Sequence, residues 1–165
     1  MSQLDIIRAA IVAAAAALPG MGVVHNRERY VGKIESQFRD LYLFEDEGGE
    51  PSIRGWWIRR TATQTFIDTL GSSTDVHTWQ LRGYMTLNDE ARSELVFDGL
   101  IEAFREMVRA DATFGGVCDA GPTTLGNSAT LIPQYVEVLD VGPVRFCGVL
   151  CHSAVLQLKT WSYSR

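Results

Sequence analysis

Cysteine is scarce in this chain, and the usual signatures of nucleotide binding and nucleophilic catalysis are missing. Its three cysteines, Cys118, Cys147 and Cys151, cannot all pair with one another. A disulfide scaffold is therefore not expected, and reduced thiols in a cytoplasm are the simpler interpretation. The chain has no Gly-x-Ser-x-Gly elbow, no Gly-x4-Gly-Lys-Ser/Thr loop and no dinucleotide fingerprint. These absences argue against a nucleotide cofactor and against an activated serine of that type.

Positive charge is in deficit as well. The chain has 15 Lys and Arg residues against 20 Asp and Glu residues, which gives a formal net charge of −5. Broad, sequence-independent binding of nucleic acid depends on clustered Lys and Arg, so this composition counts against it. A protein that surrounds DNA without gripping it stays compatible with the charge, because an acidic channel would let DNA slide.

Long apolar runs suited to a membrane are not evident. Ile11 to Leu18 is unbroken and apolar, but it is too short for a membrane span, and Asp5 stands where a signal peptide needs positive charge. The content of 46% hydrophobic and 21% charged residues is ordinary for a globular protein. We therefore expect one domain over residues 1–165, located in the cytoplasm and without a membrane partner.

Two segments have the spacing of amphipathic helices. Residues 2–18 place Leu4, Ile7, Ile11, Ala14 and Leu18 on one stripe. Ser2 followed by Asp5 is a variant of the capping box, and Pro19-Gly20 ends the segment. A longer helix is expected from about Asp89 to Ala110, because apolar residues recur there at helical spacing: Leu95, Val96, Leu100, Ile101, Phe104, Met107 and Val108. Thr86, Asn88 and Asp89 all suit its start.

Alternation marks the clearest strand. His77, Trp79 and Leu81 fall on one side and Thr78, Gln80 and Arg82 on the other, which is typical of a half-buried strand over residues 76–85. Other strands are expected at residues 23–24, 53–60, 134–141 and 146–161, and residues 61–70 are expected either to continue the strand at 53–60 or to form a second strand. Loops are expected at residues 45–51, 71–75 and 115–130, the last of them mobile, with a turn at Gly142-Pro143. A short helix through Tyr30, Ile34, Phe38 and Leu41 completes the set.

This pattern predicts an α+β fold. A largely antiparallel or mixed β-sheet would be packed by the N-terminal helix and one long central helix. In the last strand His152, Ala154, Leu156 and Leu158 share one face. We expect one core that includes Trp79, Leu81, Leu100, Phe104, Leu156 and Leu158.

Several segments carry a resemblance to a known family. They are Arg54–Arg60 (RGWWIRR), His77-Thr78-Trp79, Arg82-Gly83-Tyr84, Ser93–Asp98 (SELVFD) and Cys151–Ala154 (CHSA). Together with the alanine-rich first helix, and in this order, they resemble the tail terminator proteins of long-tailed phages, the group of the lambda minor tail protein U. The resemblance covers most of the chain, and none of its segments is a catalytic signature.

The resemblance implies a structural assembly protein that is not an enzyme and needs no cofactor or metal. Such a protein caps the finished tail tube, ends its polymerisation and provides the surface for head joining. Its partners would be copies of itself in a hexameric ring, the tail tube protein and a head-completion or connector protein. DNA would pass through the ring without specific binding. A ring of this kind repeats one head-to-tail contact until the rotation closes. The implied location is the host cytoplasm during assembly and then the virion tail.

Two alternative functions are compatible with the same pattern. One is another head–tail connector or neck-completion protein. The other is a small thioesterase-like hydrolase, with Glu94 or Asp98 as the acid on the long helix. Glu94, Asp98 and Glu102 form an acidic stripe at helical spacing, which a solvated helix face also explains.

Trp57 and Arg59 are the candidate residues for a subunit or tail-tube interface. Trp56 and Ile58 are predicted on one face of their strand, and Ile53 and Trp57 on the other, so both faces need a cover. The second cover could be the short helix or a neighbouring subunit. Trp and Arg are enriched at binding hot spots, and Arg59 shares the face of Trp57.

The remaining Cys and His residues are interpreted as structural. Cys147 and Cys151 are an even number of positions apart on an expected strand, whereas His152 points the other way, so the three do not predict a metal site. His77 and His152 are expected on the apolar face, where they could meet across adjacent strands.

Overall fold

The computed structural model describes residues 1–30, 35–46, 48–67, 71–121 and 136–164. Its helices are α1 (Gln3–Ala16), α2 (Glu35–Asp40) and α3 (Ser93–Ala110). Its strands are β1 (Val23–His25), β2 (Leu43–Phe44), β3 (Ser52–Ile67), β4 (Ser73–Thr86), β5 (Glu137–Phe146) and β6 (Val149–Ser164). The α+β fold class predicted from the sequence is confirmed.

The described strands form one mixed sheet in the order β1-β3-β4-β6-β5, with β2 attached to β3. β1 runs parallel to β3, and the pairs β3–β4, β4–β6 and β5–β6 are antiparallel. Trp79 pairs with Leu158, and Leu81 with Leu156. Because directly paired residues share a face, these side chains form one continuous apolar surface, here called the helix face.

The main core lies between α1, α3 and the helix face. Trp79, Leu81, Leu100, Phe104, Leu156 and Leu158 all belong to this one buried cluster, as expected. On β4 the predicted alternation is confirmed, since His77, Trp79 and Leu81 are buried while Thr78, Gln80 and Arg82 are only partly so. The alternation of side chains between the two faces of a strand explains which of these six residues are buried.

The start of α1 follows its sequence signal. The Ser2 hydroxyl accepts the Asp5 amide N–H at 3.2 Å, and the Asp5 carboxylate accepts the Ser2 amide N–H at 3.1 Å. This reciprocal pair is the predicted capping box, and it satisfies donors that a helix start leaves unpaired. Ile7, Ile11 and Ala15 then form the buried stripe of the helix.

The start of α3 was predicted four residues too early. Thr86 belongs to β4, and Asn88 and Asp89 form a turn in which the Arg92 N–H binds the Asp89 carbonyl and the Ser93 N–H binds the Asn88 carbonyl. Arg92, with a φ of 50°, precedes the helix and makes no side-chain cap. Short polar side chains stabilise such turns as readily as helix starts, which is why the signal was misplaced.

The first two apolar residues assigned to the buried face of α3 were wrong. Leu95 and Val96 are exposed, whereas Leu100, Ile101, Phe104 and Val108 are buried as the spacing predicted. Glu94, Asp98 and Glu102 are exposed, which agrees with the interpretation of a solvated stripe.

The last hairpin turns at a different place from the prediction. Gly142 and Pro143 lie inside β5, and the turn is at Cys147-Gly148, with φ of 49° and 76°. Two successive positive φ values suit the tight turns that match the twist of a hairpin. Among the described strands β5 lies at the edge of the sheet, which is a position where proline is tolerated within a strand.

Other boundaries differ by a few residues. Ser73, Thr74 and Asp75, predicted as loop, begin β4. Residues 61–67 continue the strand predicted at 53–60, which is the first of the two expected possibilities, and a bulge lies between Arg60 and Ala62 in this strand, β3. Of the short helix predicted through Tyr30, Ile34, Phe38 and Leu41, the described residues show α2. Parts of four predicted elements, at Ile34, residues 68–70, residues 122–130 and Gln134, lie outside the described residues.

In the part of the chain that the structure describes, no helix has both the length and the apolar character needed to cross a membrane.

We predict opposite effects for alanine at two glycines. A Cβ at position 83 would lie 2.4 Å from the Trp56 ring, so Gly83→Ala should lower the free energy of unfolding by about 1–3 kcal/mol through overpacking. At Gly99 on α3 no atom outside the local helix backbone lies within 4 Å of the added Cβ, so Gly99→Ala should raise the free energy of unfolding by about 0.5–1 kcal/mol. Urea unfolding of both variants measures the difference. Equal effects would contradict the close approach of Trp56 to β4.

Candidate functional site

Aromatic stacking brings together the segments that carry the family resemblance. The Trp56 ring packs on the backbone of Gly83 and stacks on Phe97, with ring centroids 5.6 Å apart. Phe97 in turn stacks on His152 at 5.8 Å. Trp56 comes from RGWWIRR, Gly83 from RGY, Phe97 from SELVFD and His152 from CHSA. Four separate stretches of sequence therefore meet in one stack, here called the Trp56 stack.

Trp57, the first predicted interface residue, is covered by its own chain. It is 3% exposed and belongs to a second buried cluster on the sheet face opposite the helix face. This aromatic cluster also contains Tyr42, Ile53, Tyr84, Phe146 and Cys151, with Phe38 and Leu41 packed against it. The intramolecular cover weighed from the sequence is therefore present, and the α2 segment supplies it.

Tyr42 is the centre of the aromatic cluster. Its ring makes edge-on contacts with His25 at 5.0 Å and Phe146 at 5.1 Å, and Phe146 stacks on Tyr84 at 4.1 Å. Gly55 makes room for it, since a Cβ there would lie 2.7 Å from the Tyr42 ring. Burial raises the pKa of Tyr42 well above its ordinary value, so the phenol stays neutral.

Arg59, the second predicted interface residue, lies at the rim of this cluster. Its side chain is 50% exposed, and its guanidinium lies 5.2 Å from the centre of the Trp57 ring. Arg59 Nη1 lies 2.8 Å from Glu28 Oε2, and Arg59 Nε donates to Gln80 at 3.2 Å. The Arg59 guanidinium thus packs against the buried Trp57 ring, and of the two residues only Arg59 is at the surface. That either contacts another subunit stays a prediction.

The same sheet face continues as a polar surface. Arg82 pairs with Trp57 across β3 and β4 and places its guanidinium 5.5 Å from the Tyr84 ring centre. Beyond it Gln80 pairs with Gln157, and Thr78 with Lys159. Cationic and amide side chains therefore border the aromatic cluster, an arrangement suited to protein contacts in which Arg covers aromatic rings.

Ser93 and His152 form a pair that the sequence analysis missed. Ser93 Oγ accepts the Asn88 N–H at 2.8 Å and shares a hydrogen bond of 2.7 Å with His152 Nε2. Ser93 is the first residue of α3, and its side chain is buried. The pair ties the start of α3 to β6 next to the Trp56 stack. It left no local signal, because the two residues are 59 positions apart in sequence.

A surface cavity of about 220 Å³ opens beside this pair. Its walls include Asp89, Glu94 and Leu95 together with Ser93 and His152 themselves. A serine hydrogen-bonded to a histidine is the first element of nucleophilic catalysis, which also needs an accessible hydroxyl and a group that orients the histidine. Here Ser93 is only 5% exposed, and its hydroxyl is already engaged by the Asn88 N–H and by His152.

The fold separates the two histidines, His77 and His152, that were expected to be able to meet. His77 pairs with Thr160 and His152 with Met85, which places the two histidines about 26 Å apart along β6. The expectation that they could meet was wrong, because strand register is not encoded locally. Among the described residues, no three His, Cys, Asp or Glu side chains are arranged to hold a metal ion.

The cysteines face away from His152, although for a different reason than predicted. Cys147 lies in the hairpin turn and not on a strand shared with Cys151. Both pack with the aromatic cluster, whereas His152 stacks on the helix face. Burial raises the pKa of the Cys151 thiol to about 11, which keeps it protonated and unreactive at neutral pH.

Comparison with protein-family models finds no match for this chain, and comparison with curated protein sequences finds none either.

The two partly buried histidines away from the Trp56 stack predict a pH dependence. Burial lowers the pKa of His25, which contacts the Leu41 carbonyl at 2.8 Å, and of His77, which contacts Thr63 Oγ1 at 2.9 Å. Below about pH 6.5 the unfolded chain then binds more protons than the folded one. Stability should therefore fall as the pH is lowered from 7.5 to 5.5.

Urea unfolding at both pH values measures this effect, with His77→Gln as the matched variant. The variant should lose less stability than the wild-type protein over the same interval, because one of the two histidines no longer titrates. A wild-type protein that gains stability as the pH falls would contradict the prediction.

Proposed function

We propose that this protein is a tail terminator of a long-tailed phage or prophage. It caps the tail tube, ends the polymerisation of the tube and provides the surface to which the head is joined. Its partners in this role are further copies of itself in a hexameric ring, the tail tube protein and a head-completion or connector protein. DNA passes through the ring without specific binding. The protein acts in the host cytoplasm and remains in the virion tail.

The Trp56 stack is the observation that supports this proposal. The segments that resemble the terminator family meet there, and their side chains are used for packing: Trp56 and Phe97 are buried, and Trp56 Nε1 donates to the Met21 carbonyl at 3.1 Å. A resemblance carried by scattered surface residues would say little about architecture. One carried by mutually contacting core residues favours a shared fold, and with it a role in assembly.

The proposal is tested with tail tubes assembled from the tube protein of the same phage or prophage. Addition of the purified protein should stop tube growth, and electron microscopy should show a ring at the tube tip. The mean tube length should fall as the ratio of this protein to tube protein rises. Tubes that grow to the same length with and without the protein would contradict a terminator role.

A variant at the predicted interface sharpens the test. Arg59→Ala should leave the fold intact, because an exposed ion pair contributes at most about 1 kcal/mol to stability. If Arg59 contacts a neighbouring subunit or the tube, tip binding should weaken by about 2 kcal/mol, as expected for a hot-spot arginine. Lys159→Ala, on the same sheet face but on the inner strand β6, is the control. Trp57→Ala is unsuitable, because removing a buried indole costs about 3–5 kcal/mol of stability.

A serine hydrolase is the second candidate function, and the Ser93–His152 hydrogen bond is the observation that favours it. This is a different arrangement from the thioesterase-like alternative, whose candidate acids Glu94 and Asp98 are exposed on α3.

Incubation with a fluorophosphonate probe separates the two roles. We expect no labelling, because Ser93 is only 5% exposed and its hydroxyl is engaged by the Asn88 amide and by His152. Labelling that is lost in both Ser93→Ala and His152→Ala, together with turnover of an acyl thioester by the unmodified protein, would favour the hydrolase.

A further inference from the structure

One edge of the sheet is basic. β1 covers the outer side of β3 only at Gly55–Trp57, and in the described part of the chain no strand pairs with the outer side of β3 beyond that point. Arg59 and Arg60 are exposed there, and Arg27 and Arg29 lie just after β1. Glu28, which pairs with Arg59, adds a carboxylate to this edge. These residues are called the basic edge.

The opposite edge of the sheet is acidic. Among the described strands β5 is the last on this side, and its Glu137 and Asp140 are exposed. α3 adds to it, because Arg105 Nε reaches the Val136 carbonyl at 3.2 Å, which places that flank of α3 beside the start of β5. Asp98 lies two helical turns from Arg105 and therefore shares the flank. With Glu94 and Glu102, which continue the stripe, these carboxylates are called the acidic edge.

The acidic edge also contains two cations and an apolar centre. Arg105 is paired with Glu102 at 2.6 Å, and Arg145 lies at the far end of β5. Between them Val138, Leu139 and Val141 are 38%, 50% and 47% exposed. Edge strands of monomeric proteins rarely present such apolar residues, because an unpaired edge invites association. Apolar side chains within a charged rim are the ordinary composition of a protein interface.

We propose that copies of this protein associate head to tail, with the basic edge of one copy against the acidic edge of the next. The charges select this arrangement over a two-fold dimer, since a two-fold contact would place each edge against itself and bring like charges together. The inference deepens the proposed function, because it assigns the contact from which a ring would be built.

Strand direction is compatible with this contact. β3 and β6 run in the same direction, and β5 runs opposite to both. A rotation about an axis parallel to the strands leaves the direction of every strand unchanged. β5 of one copy and β3 of the next copy would therefore be antiparallel, as the pairs β5–β6 and β3–β4 are within each copy. The same rotation keeps the helix face of every copy on one side, and repetition of a head-to-tail contact closes into a ring when the rotation allows it.

Charge reversal at each edge tests the proposal on the protein alone. Sedimentation velocity over a concentration series at low ionic strength should show self-association of the wild-type protein, and added salt should weaken it. The double variant Arg59→Glu, Arg60→Glu has two acidic edges, and the double variant Glu137→Arg, Asp140→Arg has two basic edges. Each alone should lose association by at least about tenfold.

An equal mixture of the two variants should associate again. In the mixture the reversed, now acidic edge of the first variant meets the reversed, now basic edge of the second variant, and the native edges of the two variants meet in the same way. The two variants must therefore alternate, so a closed assembly contains an even number of chains. Lys159→Glu, on the inner strand β6, is the matched control and should associate like the wild-type protein. Circular dichroism and thermal unfolding check that every variant is folded.

Three results would overturn the proposal: a wild-type protein that stays monomeric throughout the series, reversed variants that associate unchanged, or a mixture that fails to restore association. The outcome is separable from that of the terminator proposal. Association through these edges without any effect on tube length would overturn the terminator function alone. Capping of tubes by both reversed variants would overturn this contact alone.

Discussion

The close approach of Trp56 to the backbone of Gly83 is the contact on which the rest of the structure depends. The indole lies flat over a position without a side chain, stacks on Phe97 of α3 and donates to the Met21 carbonyl, so that β3, β4, α3 and the segment after α1 are held together at one point. A larger residue at position 83 would separate β4 from the ring. Because interiors are densely packed, that displacement would spread to every element that touches the indole.

The second face of the sheet depends on a different cluster. A sheet with apolar bulk on both faces must cover both, and in this chain two long elements, α1 and α3, cover one face, while the short α2 segment covers part of the other through Phe38, Leu41 and Tyr42. Among the described residues, the remainder of this face is polar and includes the half-buried Gln80, Arg82 and Gln157. The division explains why Trp57 is buried and Arg59, two residues further along the same strand, is at the surface.

The charge distribution follows from the strand order. Residues that are far apart in sequence collect on the same edge, such as the α3 stripe and the start of β5, and the resulting edges differ in sign although the whole chain carries a modest net charge of −5. Net charge alone indicated only that broad nucleic-acid binding is unfavourable. Because the two edges differ in the sign of their charge, each can pair with the other edge of a second copy. Head-to-tail assembly requires two different, complementary surfaces of this kind.

What the sequence by itself determined is local. Three local predictions were confirmed: the period of two on β4, the helical spacing of Leu100 to Val108 and the Ser2–Asp5 capping box. Each depends only on residues that are close together in sequence. The sequence also showed that Trp57 and Arg59 share a face. Tertiary structure decided what covers Trp57, where the last hairpin turns, how far His77 lies from His152 and which partner Ser93 finds. These depend on strand order and register, which are set by contacts between residues distant in sequence, and no local pattern contains that information.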